Sequence, residues 1–434
     1  MTDFICSPGG RISGQIRVPG DKSISHRSII LASIAEGVSH ITGFLQGEDS
    51  LNTIRAFQQM GVLIQRNQDQ VRVTGVGLHG LQQPTADLDL GNSGTAMRLL
   101  LGLLAGQEFD ARLTGDSSLS TRPMGRVIDP LELMGAVIES ESDGRAPLQV
   151  RGGQALTAIE YDMPVASAQV KSCLLLAGLY ARGVTIVHEP APTRDHSERM
   201  LRGFGCEVKS ANGEIRLPGE QALTACDIDV PADISSAAFF MVAASIAQAG
   251  KLTLQHVGVN PTRTGVIDIL QLMGADIEIL NRREIGGEPV ADISLRSANL
   301  KGIEIPESLV PLAIDEFPVL FVAAACATGV TRLSGAAELR VKESDRIQVM
   351  ADGLAILGIK AEVKPDGIII QGGKIGGGTV ESRGDHRIAM AFSVAALAAT
   401  DEIRVKDCAN VNTSFPGFAG LAQKTGIRIC INDG

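Results

Sequence analysis

The sequence contains no Trp, two Tyr and twelve Phe, so aromatics make up only 3% of its 434 residues. Binding of nucleic-acid bases relies on aromatic stacking platforms, and this chain has few to offer. Positive charge is short as well: 39 Lys and Arg face 49 Asp and Glu, a net charge of −10. A general nucleic-acid binder needs a basic surface, so that class is excluded. A local basic cleft for a small anion is not. No apolar run reaches the roughly 20 residues that cross a bilayer. The best candidate, residues 234–249, carries Ser235, Ser236, Ser245 and Gln248 and reads as a buried helix. The seven Cys are odd in number and form no C-x-x-C, as expected of reduced thiols in a cytosol. The start, Met1-Thr2-Asp3-Phe4, has neither the basic nor the apolar region of a secretory signal, so a cytoplasmic location is expected. The His are dispersed, and there is no H-E-x-x-H and no Walker lysine, so neither a metal nor a cofactor is expected.

What is present is Gly, 49 residues of it, and a hydrophobic content of 44%, enough for a real core. At about 150 residues per domain, the length makes two or three domains. One pattern recurs six times: an Ala- and Leu-rich helix, a short strand, a polar loop, an amphipathic helix and a last strand. The amphipathic helices are expected at residues 51–60, 124–134, 197–204, 265–273, 344–357 and 416–425. Gly61, Gly135, Gly205, Gly274, Gly358 and Gly426 follow them, as suits the left-handed residue that ends a helix. The stops lie roughly 70 residues apart, longer than a solenoid turn, so each unit is a small α/β fold. The run from Gly75 to Gly80 matches G-x-G-x-x-G, but Pro84 stands where a helix would have to open, so a loop is expected.

Polar clusters gather at the helix starts. Asp21, Asp233 and Ser344 are expected to cap free N–H groups. Lys22, Arg27, Arg122, Lys342, Arg346 and Arg387 also gather there, where a cation opposes the helix dipole. A bound phosphate or carboxylate reverses that sign, so the set points to an anion-lined cleft. Asp315 and Glu343 interrupt it. Each alone reads as a cap or an ion-pair partner; together they could act as general base and general acid. Basic neighbours favour an ionised carboxylate, which suits the base, whereas the acid would need desolvation.

Six segments carry a family resemblance: residues 19–27 (PGDKSISHR), 91–98 (GNSGTAMR), 121–125 (TRPMG), 167–172 (SAQVKS), 340–346 (RVKESDR) and 385–390 (DHRIAM). In this order they make the sequence resemble the 5-enolpyruvylshikimate-3-phosphate (EPSP) synthases over essentially its whole length. The resemblance implies a two-domain inside-out α/β barrel of six βαβαββ repeats, three per domain. One domain would hold residues 21–230 and the other residues 1–20 and 231–434, completed by the N-terminal strand. It implies transfer of the enolpyruvyl group of phosphoenolpyruvate to the 5-hydroxyl of shikimate 3-phosphate, through a tetrahedral intermediate, with release of phosphate. The site would lie in a cleft between two closing domains. Lys22, Ser23, Arg27, Ser167, Ala168, Gln169, Arg194, Asp315 and Lys342 would hold shikimate 3-phosphate. Lys22, Gly94, Arg122, Gln169, Arg346 and Arg387 would hold phosphoenolpyruvate. Asp315 would take the 5-hydroxyl proton, and Glu343 would protonate the methylene carbon with Lys22 assisting; His386 would stand nearby. The family is monomeric, and neither membrane nor nucleic acid is implied as a partner.

The chain departs from the family pattern in places. Thr413 stands where many relatives have Lys, which removes a phosphoenolpyruvate contact. Ala168 replaces a Ser, which leaves a backbone contact in place of a hydroxyl. Gly94 is the small residue of glyphosate-sensitive relatives, and Ala there is expected to crowd the phosphoenolpyruvate pocket. Two other readings remain at this level. A UDP-N-acetylglucosamine enolpyruvyl transferase would share the fold and chemistry but need a sugar-nucleotide site. A non-catalytic, anion-binding repeat scaffold would need no Asp315 or Glu343. The Lys22, Ser23, Arg27, Ser167 and Gln169 phosphate set favours the shikimate reading.

Overall fold

The computed structural model describes residues 2–433. They divide into two compact units. One comprises residues 20–230 together with 285–288; the other comprises the residues up to 19, 231–284 and those from 289 on. Gly20 groups with the residues that follow it because its Cα packs on the Gly43 backbone, where a Cβ would collide with the carbonyl oxygen.

In the unit of residues 20–230, the helices Lys22–Ser33, Gly94–Ala105 and Ala168–Gly178 are buried on nearly every side. Their Ile, Leu, Ala and Ser content permits it: a helix without a charged face belongs inside. Glu48–Gln59, Gly125–Leu133 and His196–Gly203 bury one face only. Three four-stranded sheets complete the unit. Each opens with a parallel pair: Ile228–Asp229 beside Glu36–Thr42, Leu88–Asp89 beside Ala111–Thr114, and Glu160–Asp162 beside Val184–His188. Each continues antiparallel, with Gln70–Val76, Arg145–Arg151 and Glu214–Pro218. Alternation sets the faces: Val71 and Val73 point inward, Gln70 and Arg72 outward.

The other unit is built in the same way. Ile234–Ile246, Phe317–Cys326 and His386–Ala395 are its buried helices. Gly265–Leu272, Arg346–Ile356 and Phe418–Thr425 are its half-buried ones. Thr2–Cys6 lies antiparallel to both Ile403–Lys406 and Ile429–Asp433, so the first strand is built into a sheet of the last residues. The scarce aromatics concentrate here: Phe4, Phe239, Phe240, Phe415 and Phe418 form one cluster, the closest rings 5.4 Å apart.

The six Gly that follow the amphipathic helices have φ between 83° and 107°, which an L side chain rarely adopts. Asp21 and Asp233 cap as expected, accepting from the N–H of Ile24 at 2.9 Å and of Ser235 at 3.0 Å. Ser344 does not. The helix starts two residues later, at Arg346, and Asp345 caps it by accepting from Gln348 N–H at 3.0 Å. The Ser344 hydroxyl donates instead to Asp385 Oδ2. The last helix starts at Phe418 rather than Pro416, because Gly417 takes a left-handed φ of 78°. After the strand Gln70–Val76 no helix opens before Leu88, which makes the G-x-G-x-x-G match a loop. Residues 234–246 form a buried helix, and among the described residues no helix is long and apolar enough to cross a membrane.

Candidate active site

In the unit of residues 20–230, the first turns of the three buried helices meet. Asp21, Ser93 and Ser167 cap them. Arg98 Nη1 donates to Gln169 Oε1 at 2.9 Å, and Gln169 Nε2 donates to Thr95 Oγ1 at 2.8 Å. Arg122 Nη2 donates to Asn92 Oδ1 at 2.7 Å. Lys22 pairs with Asp49. Arg27 donates to the hydroxyls of Ser197 and Ser172 and to the Ser23 carbonyl. Arg194 is half-buried and close enough for its charge to act on Arg27. The structure thus brings Lys22, Ser23, Arg27, Gly94, Arg122, Ser167, Ala168, Gln169 and Arg194 into one neighbourhood of helix starts. Three helix N-termini add their own partial positive charge. Gly94 leaves room in it: a Cβ there would stand 2.8 Å from Arg98 Nη1 and 3.4 Å from Arg122 Nη1. Ala168 offers no hydroxyl, and its carbonyl accepts from Ser172 Oγ at 2.6 Å.

Burial pulls the Arg27 pKa down to about 10; Glu198 and Asp21 oppose the fall and Arg194 adds to it, so the group stays charged at neutral pH. His26, the neighbour of Arg27, is fully buried. Its Nδ1 lies 2.7 Å from Thr53 Oγ1 and its Nε2 3.3 Å from Ser93 Oγ. Burial first, then the charges of Lys22 and Arg27, depress its pKa from 6.5 to about 3. His26 is therefore a neutral strut between two helices and the Ser93 cap, a role the sequence did not reveal. The unfolded chain takes up a proton below pH 6.5 that the folded chain refuses until about pH 3. Stability is lost as pH falls through that window, at up to about 1.4 kcal/mol per pH unit from this group. Urea unfolding at pH 7 and pH 5 is expected to show a smaller drop for His26→Asn than for the wild type. An equal drop would show that another group sets the acid limb.

The remaining expected site residues lie in the other unit. Asp315 stands among three cations: Arg346 Nη1 at 3.6 Å, Lys342 Nζ at 3.7 Å and Arg387 Nη2 at 3.9 Å. Arg387 Nη1 also donates to the Asp315 carbonyl at 2.9 Å. Glu343 accepts from Arg346 Nη2. Asp385 caps the helix His386–Ala395 through Arg387 N–H, and its other oxygen takes Arg346 Nε at 2.9 Å. Arg346 is 1% exposed. Burial alone would lower its pKa, but Asp385, Glu343 and Asp315 outweigh that and shift it upward. Glu316 is buried beside Asp315, accepts from the Ser235 hydroxyl and lies 3.5 Å from Arg263. His386 is buried next to Arg387. The Thr413 hydroxyl donates to the Asn410 carbonyl at 2.7 Å, within its own short helix.

Asp49, Ser172, Ser197, Glu316 and Asp385 escaped the sequence reading as functional groups. Asp49 follows Glu48 in a first turn, where acidic residues ordinarily just complement the dipole. Ser172 and Asp385 stand inside family segments, so their position was visible but not their partners.

These two neighbourhoods, one cationic and one of mixed charge around two carboxylates, suit the recognition and proton chemistry of small anions. The pattern of the EPSP synthase (3-phosphoshikimate 1-carboxyvinyltransferase) family matches residues 6–421. The chain is 65% identical over 433 residues to the 3-phosphoshikimate 1-carboxyvinyltransferase of Alkalilimnicola ehrlichii, covering 99% of this chain and 97% of that one. It is 63% identical over 427 residues to that of Methylococcus capsulatus, covering 98% of each. The solved EPSP synthase of Acinetobacter baumannii superposes with a TM-score of 0.92 at 55% identity, covering 100% of both chains. The chain belongs to the EPSP synthase family.

Proposed function

We infer that this protein transfers the enolpyruvyl group of phosphoenolpyruvate to the 5-hydroxyl of shikimate 3-phosphate, releasing phosphate. The observation that carries this reading is the match of the whole chain to the family, which includes every segment that supplies the charged groups above. The two substrates carry phosphates and carboxylates, and the residues supply guanidinium, ammonium and helix-terminal N–H groups for them.

In this reading Lys22, Ser23, Arg27, Ser167, Ala168, Gln169, Arg194, Asp315 and Lys342 hold shikimate 3-phosphate. Lys22, Gly94, Arg122, Gln169, Arg346 and Arg387 hold phosphoenolpyruvate. Asp315 takes the 5-hydroxyl proton while Glu343 protonates the methylene carbon, giving a tetrahedral adduct; loss of a methyl proton and of phosphate then restores the enol ether. Fixed orientation of the two anions supplies much of the rate. The local use of the Thr413 hydroxyl supports leaving that residue out of the phosphoenolpyruvate set. The alternation of buried helices and half-exposed sheets supports an inside-out barrel of six βαβαββ repeats, three in residues 21–230 and three in residues 1–20 plus 231–434. Seven free thiols support a reducing cytoplasm, and the protein acts as a monomer in this reading.

Phosphate release from phosphoenolpyruvate is the test, with shikimate 3-phosphate and UDP-N-acetylglucosamine compared as acceptors. Release with the first alone is expected. Release with the second alone, or with neither, would overturn the reading.

A further inference from the structure

Arg27 is a buried cation held by neutral groups. Its Nε donates to Ser197 Oγ and its Nη2 to Ser172 Oγ, both at 2.7 Å, and its Nη1 to the Ser23 carbonyl at 3.0 Å. The Ser197 hydroxyl donates in turn to Ser172 Oγ at 2.7 Å. Such acceptors fix the guanidinium plane without cancelling its charge. Arg346 is the opposite case, tied down by carboxylates.

A carboxylate is nevertheless one residue away. Glu198 follows Ser197, is 1% exposed, and of the charges around Arg27 it acts on it most strongly. Its charge is engaged elsewhere: Lys171 Nζ, also 1% exposed, lies 2.7 Å from Glu198 Oε1 and 3.0 Å from Glu189 Oε1. Lys171 precedes Ser172 in sequence. The Lys171–Glu198 pair and the Ser172–Ser197 pair therefore join the same two helices side by side. Glu189 accepts from the Thr193 hydroxyl and is not among the main charges acting on Arg27.

We propose that Lys171 is a positioning residue for substrate binding: by engaging Glu198 it prevents that carboxylate from pairing with Arg27, and so leaves the Arg27 charge to the anionic substrate. This rests on the reading of Arg27 as a shikimate 3-phosphate ligand. Without Lys171, Glu198 is a buried charge lacking its partner, a costly state. Arg27 is the neighbouring cation able to relieve it, and its hydroxyl contacts then give way to an ion pair.

The test is steady-state kinetics on the whole enzyme, with both KM values measured. Lys171→Met is expected to raise KM for shikimate 3-phosphate at least about tenfold while KM for phosphoenolpyruvate stays within about threefold. Glu198→Gln alone is expected to stay within about threefold of wild type for both. The double variant Lys171→Met/Glu198→Gln is expected to recover the wild-type KM for shikimate 3-phosphate, because no charge remains at position 198 to capture Arg27. A lysine serving only to hold the helices together predicts no recovery, so a raised KM in the double variant overturns the proposal. So does an equal rise of both KM values in Lys171→Met. If Lys171→Met does not fold, the double variant decides by itself. Wild-type turnover of shikimate 3-phosphate in the same assay separates failure of this proposal from failure of the functional reading.

Discussion

Replacing Arg346 by Met is expected to lower the melting temperature of the unit that contains it by roughly 10 °C. Removing one member of a buried ion-pair network costs about 3–5 kcal/mol, because the partners keep their charge and lose their compensation. Three carboxylates would be left. Asp385 is the worst placed, with a side chain 0% exposed and its Oδ2 turned to Arg346 Nε. Asp315 is better placed, since Lys342 and Arg387 remain at 3.7 and 3.9 Å. Glu343, 28% exposed, can turn to water. For a unit of this size each kcal/mol shifts the midpoint by roughly 2–4 °C. Calorimetry reads the effect, with Arg383→Met as the control. Arg383 is 64% exposed and 3.8 Å from Asp352, a surface pair worth little. A midpoint as high for Arg346→Met as for the control would mean that the three carboxylates are compensated without Arg346.

The same arginine shows how far the sequence could be read. Its place at a helix start was legible, because Lys and Arg at that position need an anion nearby. Which anions was not: Asp385 lies 39 residues away along the chain and arrives through the packing of two helices. The sixfold pattern and its Gly stops located the amphipathic helices to within a few residues, since each stop demanded a left-handed φ that Gly alone supplies cheaply. One error fell where two polar residues competed for one role. Ser344 and Asp345 could each cap the next helix, and Ser344 was drawn off by Asp385. His26 gave no signal at all, because a neutral buried imidazole and a charged ligand read alike in sequence. Arg27 was correctly picked out as a cation at a helix start, but the two serines that hold it stand 145 and 170 residues further on.

Glu343→Gln and Asp315→Ala are each expected to lower kcat at least about 100-fold, the low end of what general acid–base groups contribute. The amide of Glu343→Gln keeps the shape and still offers Arg346 an oxygen acceptor, so the change removes proton transfer with little loss of packing. Glu343 now accepts from Arg346 Nη2, a bond that favours the ionised carboxylate over the acid. In the proposed reaction the phosphoenolpyruvate carboxylate takes over Arg346, and the released Glu343 takes a proton from solvent and passes it to the methylene carbon. Glu343→Gln should therefore lose exchange of solvent hydrogen into the methylene group in step with kcat. Asp315→Ala acts differently, because it strips a carboxylate from Lys342, Arg346 and Arg387 at once. Three cations freed of it should bind anions at least as well, so kcat should fall without a rise in KM for phosphoenolpyruvate. Turnover in both variants close to wild type would remove the two carboxylates from the chemistry and overturn their assignment as base and acid. A loss in Glu343→Gln with exchange intact would instead move the proton donor to another group, with Lys22 the next to test.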